Sequence, residues 1–270
     1  MPFAFHAPKP LLGASINWGH PLAARLSAAW VLNEQRGRRV MDRVGGRMGA
    51  VGASVTWAGE GVAIPSGASN TPSMDIGGTK APALNGVSFS AVAVYSHVAG
   101  NSPIYAQGSI TGTRQSLHLQ PCVGGSATTI RFGLYGDDQD VTCASLTTNA
   151  QRRRVTVFTF DSPTLTTTVI HDGVVLGTRT TGGSISLANN DWLIGDTFGY
   201  GGSTAGCRVH AVYLYTHRVL TVAEARALTR HPYAMWGAAW QWRAASLAPP
   251  SRLLRQNALR PRVFAPGRAR

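Results

Sequence analysis

The sequence predicts an all-β fold, a sandwich or a barrel, with one short helix near the end of the folded part. Short runs of alternating apolar and polar residues follow one another from Leu26 to Ile194, separated by Gly, Asn, Asp, Ser or Pro. Helical periodicity is nearly absent over the same stretch. Hydrophobic residues make up 44% of the 270 residues and charged residues only 14%, so the chain can bury a core and is not disordered as a whole. The length allows one large β domain or two smaller ones.

The strongest predicted strand is Val87–Tyr95, in which apolar residues occupy one face and part of the other. A strand that is covered on both sides has this pattern. The other predicted strands are shorter and alternate in the same way. They are 28–32, 52–57, 61–64, 116–119, 129–135, 154–160, 166–171, 174–178, 192–194 and 209–215.

Two local signals are specific. Asp172-Gly173 between two alternating runs predicts a type I′ hairpin, because both turn residues of that hairpin have positive φ. Thr221 and Glu224 have the spacing of a capping box, which predicts that a short helix begins there and continues to Arg230, before His231-Pro232.

The positive charge lies at the ends of the chain. The formal net charge is +13, but all 12 acidic residues lie between Glu34 and Glu224, where they nearly balance the basic residues. This balance argues against nucleic-acid binding by the body of the protein. No apolar run reaches the length of a membrane helix, and the first residues do not have the pattern of a secretory signal. Three widely spaced cysteines, Cys122, Cys143 and Cys207, favour buried free thiols, and one disulfide with one free thiol is the alternative.

The second half of the chain resembles the concanavalin A-like, laminin G-like (LamG) jelly-roll family. The resemblance rests on Arg154–Phe160, the Asp172-Gly173 hairpin, Trp192–Gly195 and the run from His210 to Glu224. It implies a jelly-roll β-sandwich at residues 22–236, between an extended N-terminal arm (1–21) and a C-terminal arm (237–270). A single domain of this kind with a Trp-then-Arg/Pro tail also resembles accessory virion proteins of tailed bacteriophages.

Catalytic carboxylates are missing from the sequence pattern. A retaining glycosidase needs two carboxylates about 5 Å apart. The chain has only three Glu, at Glu34, Glu60 and Glu224, and none lies near another in the sequence. We therefore expect that the protein is not an enzyme.

One acidic segment is a candidate cation site. Asp137, Asp138 and Asp140, here called the acidic triplet, could supply carboxylate oxygens to Ca²⁺, with Asp196 as a further ligand. The alternative is a solvated polar turn with no cation, which is common for Asp/Gly segments. No other cofactor is expected.

The C-terminal arm is the candidate partner-binding segment. Its prolines keep it extended, and its Trp and Arg side chains suit an interface with neighbouring subunits. Packing against DNA and a merely solvated tail are the alternatives. The residues are Trp240, Trp242, Arg243, Arg252, Arg255, Arg260, Arg262, Arg268 and Arg270.

The sequence therefore supports two functional hypotheses. The first is a structural virion protein of a tailed phage, a capsid decoration or tail-associated protein, anchored to other virion proteins by the C-terminal arm and located in the virion. A homo-oligomer is a further expected assembly. The second is a glycan-binding, lectin-like module that attaches to cell surfaces. Neither hypothesis involves a membrane partner.

Overall fold

Two antiparallel sheets of eight strands stack face to face and form a β-sandwich, which confirms the predicted fold class. The structure is a computed structural model that describes residues 9–64, 74–75, 82–96, 103–108, 112–123, 128–146, 152–187, 192–195 and 207–237. In chain order the strands are β1 (Leu26–Trp30), β2 (Arg39–Met41), β3 (Met48–Val51), β4 (Thr56–Ala58), β5 (Gly61–Ile64), β6 (Met74–Asp75), β7 (Phe89–Ser96), β8 (Tyr105–Gly108), β9 (Ser116–Gln120), β10 (Thr129–Leu134), β11 (Gln139–Thr142), β12 (Arg154–Asp161), β13 (Thr166–His171), β14 (Val174–Thr180), β15 (Trp192–Ile194) and β16 (Cys207–Thr216).

The strand order mixes distant parts of the chain. The first sheet runs β14-β13-β12-β7-β16-β5-β4, with β1 also paired to β16. The second sheet runs β11-β10-β9-β8-β15-β6-β3-β2. Strand β7 lies at the centre of the first sheet and is buried along its whole length, as its two-sided apolar pattern predicts.

The core between the sheets is built from large aromatic side chains. Trp30 of the first sheet meets Trp192 of the second edge-on, with ring centroids 4.5 Å apart. Phe132 of the second sheet packs against Phe89 and Phe158 of the first. Aromatic rings that pack edge-on or tilted in this way stabilise a core beyond the area that they bury.

A second apolar cluster covers the far side of the first sheet. The helix α1 (Val222–Arg230) packs there, and its capping box is present as predicted, with both Thr221 and Glu224 making the reciprocal bonds. Residues 14–17 of the N-terminal arm lie on the same side. Ile16 pairs with Trp236, and the Asn17 amide donates to the Met235 carbonyl over 2.8 Å. This part of the arm therefore packs on the domain's own first sheet.

Asp42 fixes the loop after β2. Its carboxylate is fully buried and accepts bonds from the amides of Ala29, Val44 and Gly45 at 2.9–3.0 Å, and from the Arg47 guanidinium at 2.7 Å. Since Ala29 belongs to β1 in the first sheet, Asp42 joins the two sheets.

Several local predictions are confirmed and others are wrong. The Asp172-Gly173 turn has φ values of 46° and 79°, as a type I′ hairpin requires. No disulfide joins the three cysteines, and all three are buried. The single strand predicted at residues 52–57 is wrong, because β3 ends at Val51 and β4 begins at Thr56. The segment 136–140 is not only a turn, since β11 begins at Gln139.

No helix in the described ranges is long and apolar enough to span a membrane.

Candidate functional site

Polar side chains of β9 lie on the outer face of the second sheet, the face turned away from the first sheet. Leu117 and Leu119 point into the core, so the alternating residues Ser116, His118 and Gln120 point the other way. These three polar residues are nevertheless buried, each with at most 4% of its surface exposed. They form a buried polar layer on the outer face.

His118 lies across the neighbouring strand. It is paired in register with Gly133 of β10, and a Cβ added at Gly133 would come within 2.0 Å of His118 Nε2. Glycine at this position therefore makes room for the imidazole ring. From there His118 Nε2 lies 3.5 Å from Asp138 Oδ1.

Arg131 connects two carboxylates next to His118. Its Nε and Nη2 atoms donate to the two carboxylate oxygens of Asp140 over 2.7 and 2.8 Å. Its Nη1 lies 3.1 Å from Asp138 Oδ2. The result is a chain of charged and polar groups, His118–Asp138–Arg131–Asp140, here called the outer-face cluster.

The surroundings of Asp138 and Arg131 favour the charged forms of both side chains. Burial raises the pKa of Asp138, but its interactions with His118 and the charge of Arg131 outweigh this effect, so the pKa is lowered overall. Hydrogen bonding to Asp140 raises the pKa of Arg131. The side chains of Arg131, Asp138 and Asp140 are between 26% and 44% exposed, so they can contact a ligand.

Asp137 belongs to a different set of contacts. It bonds to Arg179 of β14 and to the Gly182 amide, and it lies 3.3 Å from Arg114. These partners hold Asp137 toward the edge of the sandwich, where the first sheet approaches β11. The acidic triplet is therefore divided between two groups of arginines, although it is contiguous in the sequence.

No three His, Cys, Asp or Glu residues in the described ranges are grouped so that they could hold a metal ion. Because each carboxylate of the acidic triplet already contacts arginine, the arrangement observed there is ionic pairing. The Ca²⁺ site proposed from the sequence remains a prediction, and its further ligand Asp196 lies outside the described residues.

The partner-binding residues predicted in the C-terminal arm also lie outside the described residues, which end at Gly237. Trp236, just before them, is buried with 4% exposure and belongs to the cluster that covers the first sheet.

A buried serine–histidine pair lies on the other side of the molecule. Ser96 Oγ is 2.9 Å from His210 Nε2, and His210 Nδ1 is 3.0 Å from the Glu60 carbonyl oxygen. Burial lowers the pKa of His210 to about 3, so the imidazole is neutral. Since Ser96 and His210 are only 4% and 5% exposed, the pair joins β7, β16 and the β4–β5 turn and offers no access to a substrate.

Sequence reasoning did not single out His118, Arg131 or Gly133. The signal that could have found them is the polar alternation of residues 116–120 beside Arg131 and Gly133 on the next strand. Only the strand register shows that His118 faces Gly133 and that Arg131 faces Asp140.

Comparison with known proteins identifies the fold. No protein-family model and no curated protein matches the chain. Among solved structures, a Trypanosoma rangeli sialidase in complex with 2,3-difluorosialic acid aligns with a TM-score of 0.57 at 17% identity, over 84% of this chain and 36% of the sialidase. The binding domain of Paraclostridial mosquitocidal protein 1 aligns with a TM-score of 0.55 at 11% identity, over 76% of this chain and 52% of that domain.

A carbohydrate-binding module of Ruminococcus gnavus sialidase, bound to α2,6 sialyllactose, aligns at 16% identity over 63% of this chain and 97% of the module. Its TM-score of 0.47 is too low to carry an argument. The chain spans about a third of the length of the sialidase structures that it matches. These likenesses show a β-sandwich consistent with the concanavalin A-like fold. They assign no laminin G membership and no phage origin.

The comparison contradicts the expectation that the protein is not an enzyme. The sialidases that it resembles are enzymes, among them a mutant that displays trans-sialidase activity. The lack of paired Glu residues in the sequence therefore does not exclude catalysis, and the expectation is withdrawn.

Proposed function

We propose that this protein is a glycan-binding β-sandwich and that its binding surface is the outer face of the second sheet. The observation that carries the proposal is the outer-face cluster, in which Arg131 of β10 contacts Asp140 of β11 and Asp138 of the turn between these strands, and all three side chains are partly exposed. A site of this kind is built on rigid strands, so little conformational freedom is lost when a ligand binds.

The cluster has the chemistry that sugar hydroxyls need. A hydroxyl group can donate one hydrogen bond and accept others, so it fits between a carboxylate and a guanidinium. Asp138 Oδ1 is buried beside His118 Nε2, so the accessible acceptor for a ligand hydroxyl is the carboxylate of Asp140, whose side chain is 44% exposed. The Nη1 and Nη2 atoms of Arg131 each carry a second N–H group that can donate.

Two comparisons support the proposal at the level of the fold. The mosquitocidal protein fragment is described as a binding domain, and the sialidase structure holds a sialic acid derivative. Because one fold carries many functions, these similarities add support only together with the outer-face cluster.

A glycan array tests the proposal. The wild-type protein, Arg131→Gln and the control Arg152→Gln are compared, since Arg152 is also an exposed arginine paired with an aspartate, Asp172, but lies outside the cluster. Hydrogen bonds to charged groups contribute about 1.5–3 kcal/mol, so Arg131→Gln should weaken binding roughly 10- to 100-fold. The control should bind as the wild type does. A blank array for the wild type, or equal binding by Arg131→Gln, would refute the proposal.

The structural virion role, with a location in the virion and other virion proteins as partners, is a second proposal that rests on composition. Its support is the basic, proline-rich sequence of the C-terminal arm. Deleting residues 244–270 and measuring incorporation into particles tests it, and unchanged incorporation would count against an anchoring arm.

A further inference from the structure

The charges of the outer-face cluster bear on which glycans it can bind. The cluster holds two carboxylates, one guanidinium and one imidazole. Even with the imidazole protonated, the positive charges only equal the negative ones. The cluster therefore has no excess positive charge with which to attract an anionic ligand.

Arg131 already pairs with two carboxylates of the protein itself. Its Nε and Nη2 form the two-point contact with Asp140 that an acidic sugar would otherwise occupy, and its Nη1 faces Asp138. Two-point pairing of arginine with a carboxylate is the strongest form of this interaction. A carboxylate on a ligand would have to displace Asp140 and would lie beside the charge of Asp138.

Two further guanidiniums contact the remaining aspartate of the acidic triplet. Arg114 and Arg179 both contact Asp137, whose side chain is only 6% exposed and which also accepts from the Gly182 amide. These contacts pair both arginines with Asp137, which is not part of the outer-face cluster.

We infer that the outer face of the second sheet selects uncharged glycans and rejects those that carry a carboxylate, and that Asp140 is the residue that determines this selectivity. The inference rests on the proposed function. It also predicts a difference from the sialidase whose fold this chain shares, since that structure holds a derivative of an acidic sugar.

The experiment uses an array that prints uncharged oligosaccharides beside counterparts extended by a sialic acid or a uronic acid. The full-length wild type, Asp140→Asn, Asp140→Ala and the control Glu60→Gln are compared. Glu60 is also an exposed carboxylate paired with arginine, but its partner is Arg153, outside the cluster. Asp140 is 44% exposed and contacts Arg131, so its substitution should leave the fold intact, which circular dichroism checks.

We expect the wild type to bind uncharged glycans at least about tenfold better than their acidic counterparts. Its binding should also be nearly independent of salt up to about 0.5 M NaCl, because no net charge is neutralised. Both Asp140 variants should gain affinity for acidic glycans by about tenfold, because they free the guanidinium of Arg131. The Glu60→Gln control should show no such gain.

Two results would refute the inference, and they can be told apart. Preferential binding of acidic glycans by the wild type, lost in Arg131→Gln, would overturn this inference while supporting glycan binding. A blank array for the wild type and both Asp140 variants would overturn the proposed function and this inference with it.

Discussion

Gly133→Ala tests whether the outer-face cluster depends on the space that glycine leaves for His118. The new Cβ would lie 2.0 Å from His118 Nε2, 2.1 Å from Cδ2 and 2.5 Å from Cε1, so the ring must leave its position. His118 is 3% exposed, so its movement disturbs a packed environment. Overpacking of this kind costs about 1–3 kcal/mol. The lower flexibility of the unfolded alanine chain offsets roughly 0.4–1 kcal/mol of that cost.

A double-mutant cycle with His118→Ala isolates the contact. In the His118→Ala background no ring remains to clash, so Gly133→Ala should be neutral or slightly stabilising. The coupling energy between the two positions should therefore be about 1–3 kcal/mol. Urea unfolding of the four proteins, with each variant's m value compared, measures it.

Glycan binding provides the second measurement. If His118 belongs to the binding surface, Gly133→Ala should weaken binding about tenfold even at temperatures where the variant is fully folded. Additive effects of the two substitutions on stability would show that Gly133 does not make room for the His118 ring.

Three further predictions concern stability and metal binding. Asp42→Ala should lower the free energy of unfolding by about 3–5 kcal/mol, because the buried amide of Ala29, two partly buried amides and Arg47 lose their acceptor. A loss below about 1 kcal/mol in denaturant titrations would contradict this. Burial lowers the pKa of His210 from 6.5 to about 3, so between these pH values the folded state binds fewer protons than the unfolded state. The free energy of unfolding should therefore fall as the pH drops below 6.5, by about 3 kcal/mol at pH 4 from this residue alone. His210→Gln should flatten that pH dependence and His217→Gln should not, and equal slopes would show that His210 is not responsible. Millimolar Ca²⁺ should leave the melting temperature unchanged because arginines already pair with the acidic triplet, and a clear rise would support the cation site instead.

If the outer face binds a glycan as proposed, the charges of the cluster explain how a weakly charged body recognises it. Arg131 and its two carboxylates neutralise most of one another, so the site presents directed hydrogen-bonding groups with little net field. Such a site depends on geometry rather than on electrostatic steering. Small displacements of His118 or Asp140 should therefore matter more for binding than the ionic strength does.

Local patterns in the sequence determined much of the secondary structure. Strands at Gly61–Ile64, Thr166–His171 and Trp192–Ile194 occur at the predicted residues, because each is short, apolar or alternating, and bounded by turn residues. The Asp172-Gly173 hairpin and the Thr221–Glu224 cap depend only on adjacent residues, so they could be recognised without knowledge of the fold.

Only the tertiary structure decided which side chains meet on the outer face. Asp137 and Asp138 are neighbours in the sequence, yet one bonds toward β14 and the other faces Arg131 and His118. Strand register controls this outcome, because a shift of one residue would turn every side chain of β10 to the opposite face. Register is set by contacts between residues far apart in the chain, such as Trp30 with Trp192, and such contacts leave no local pattern in the sequence.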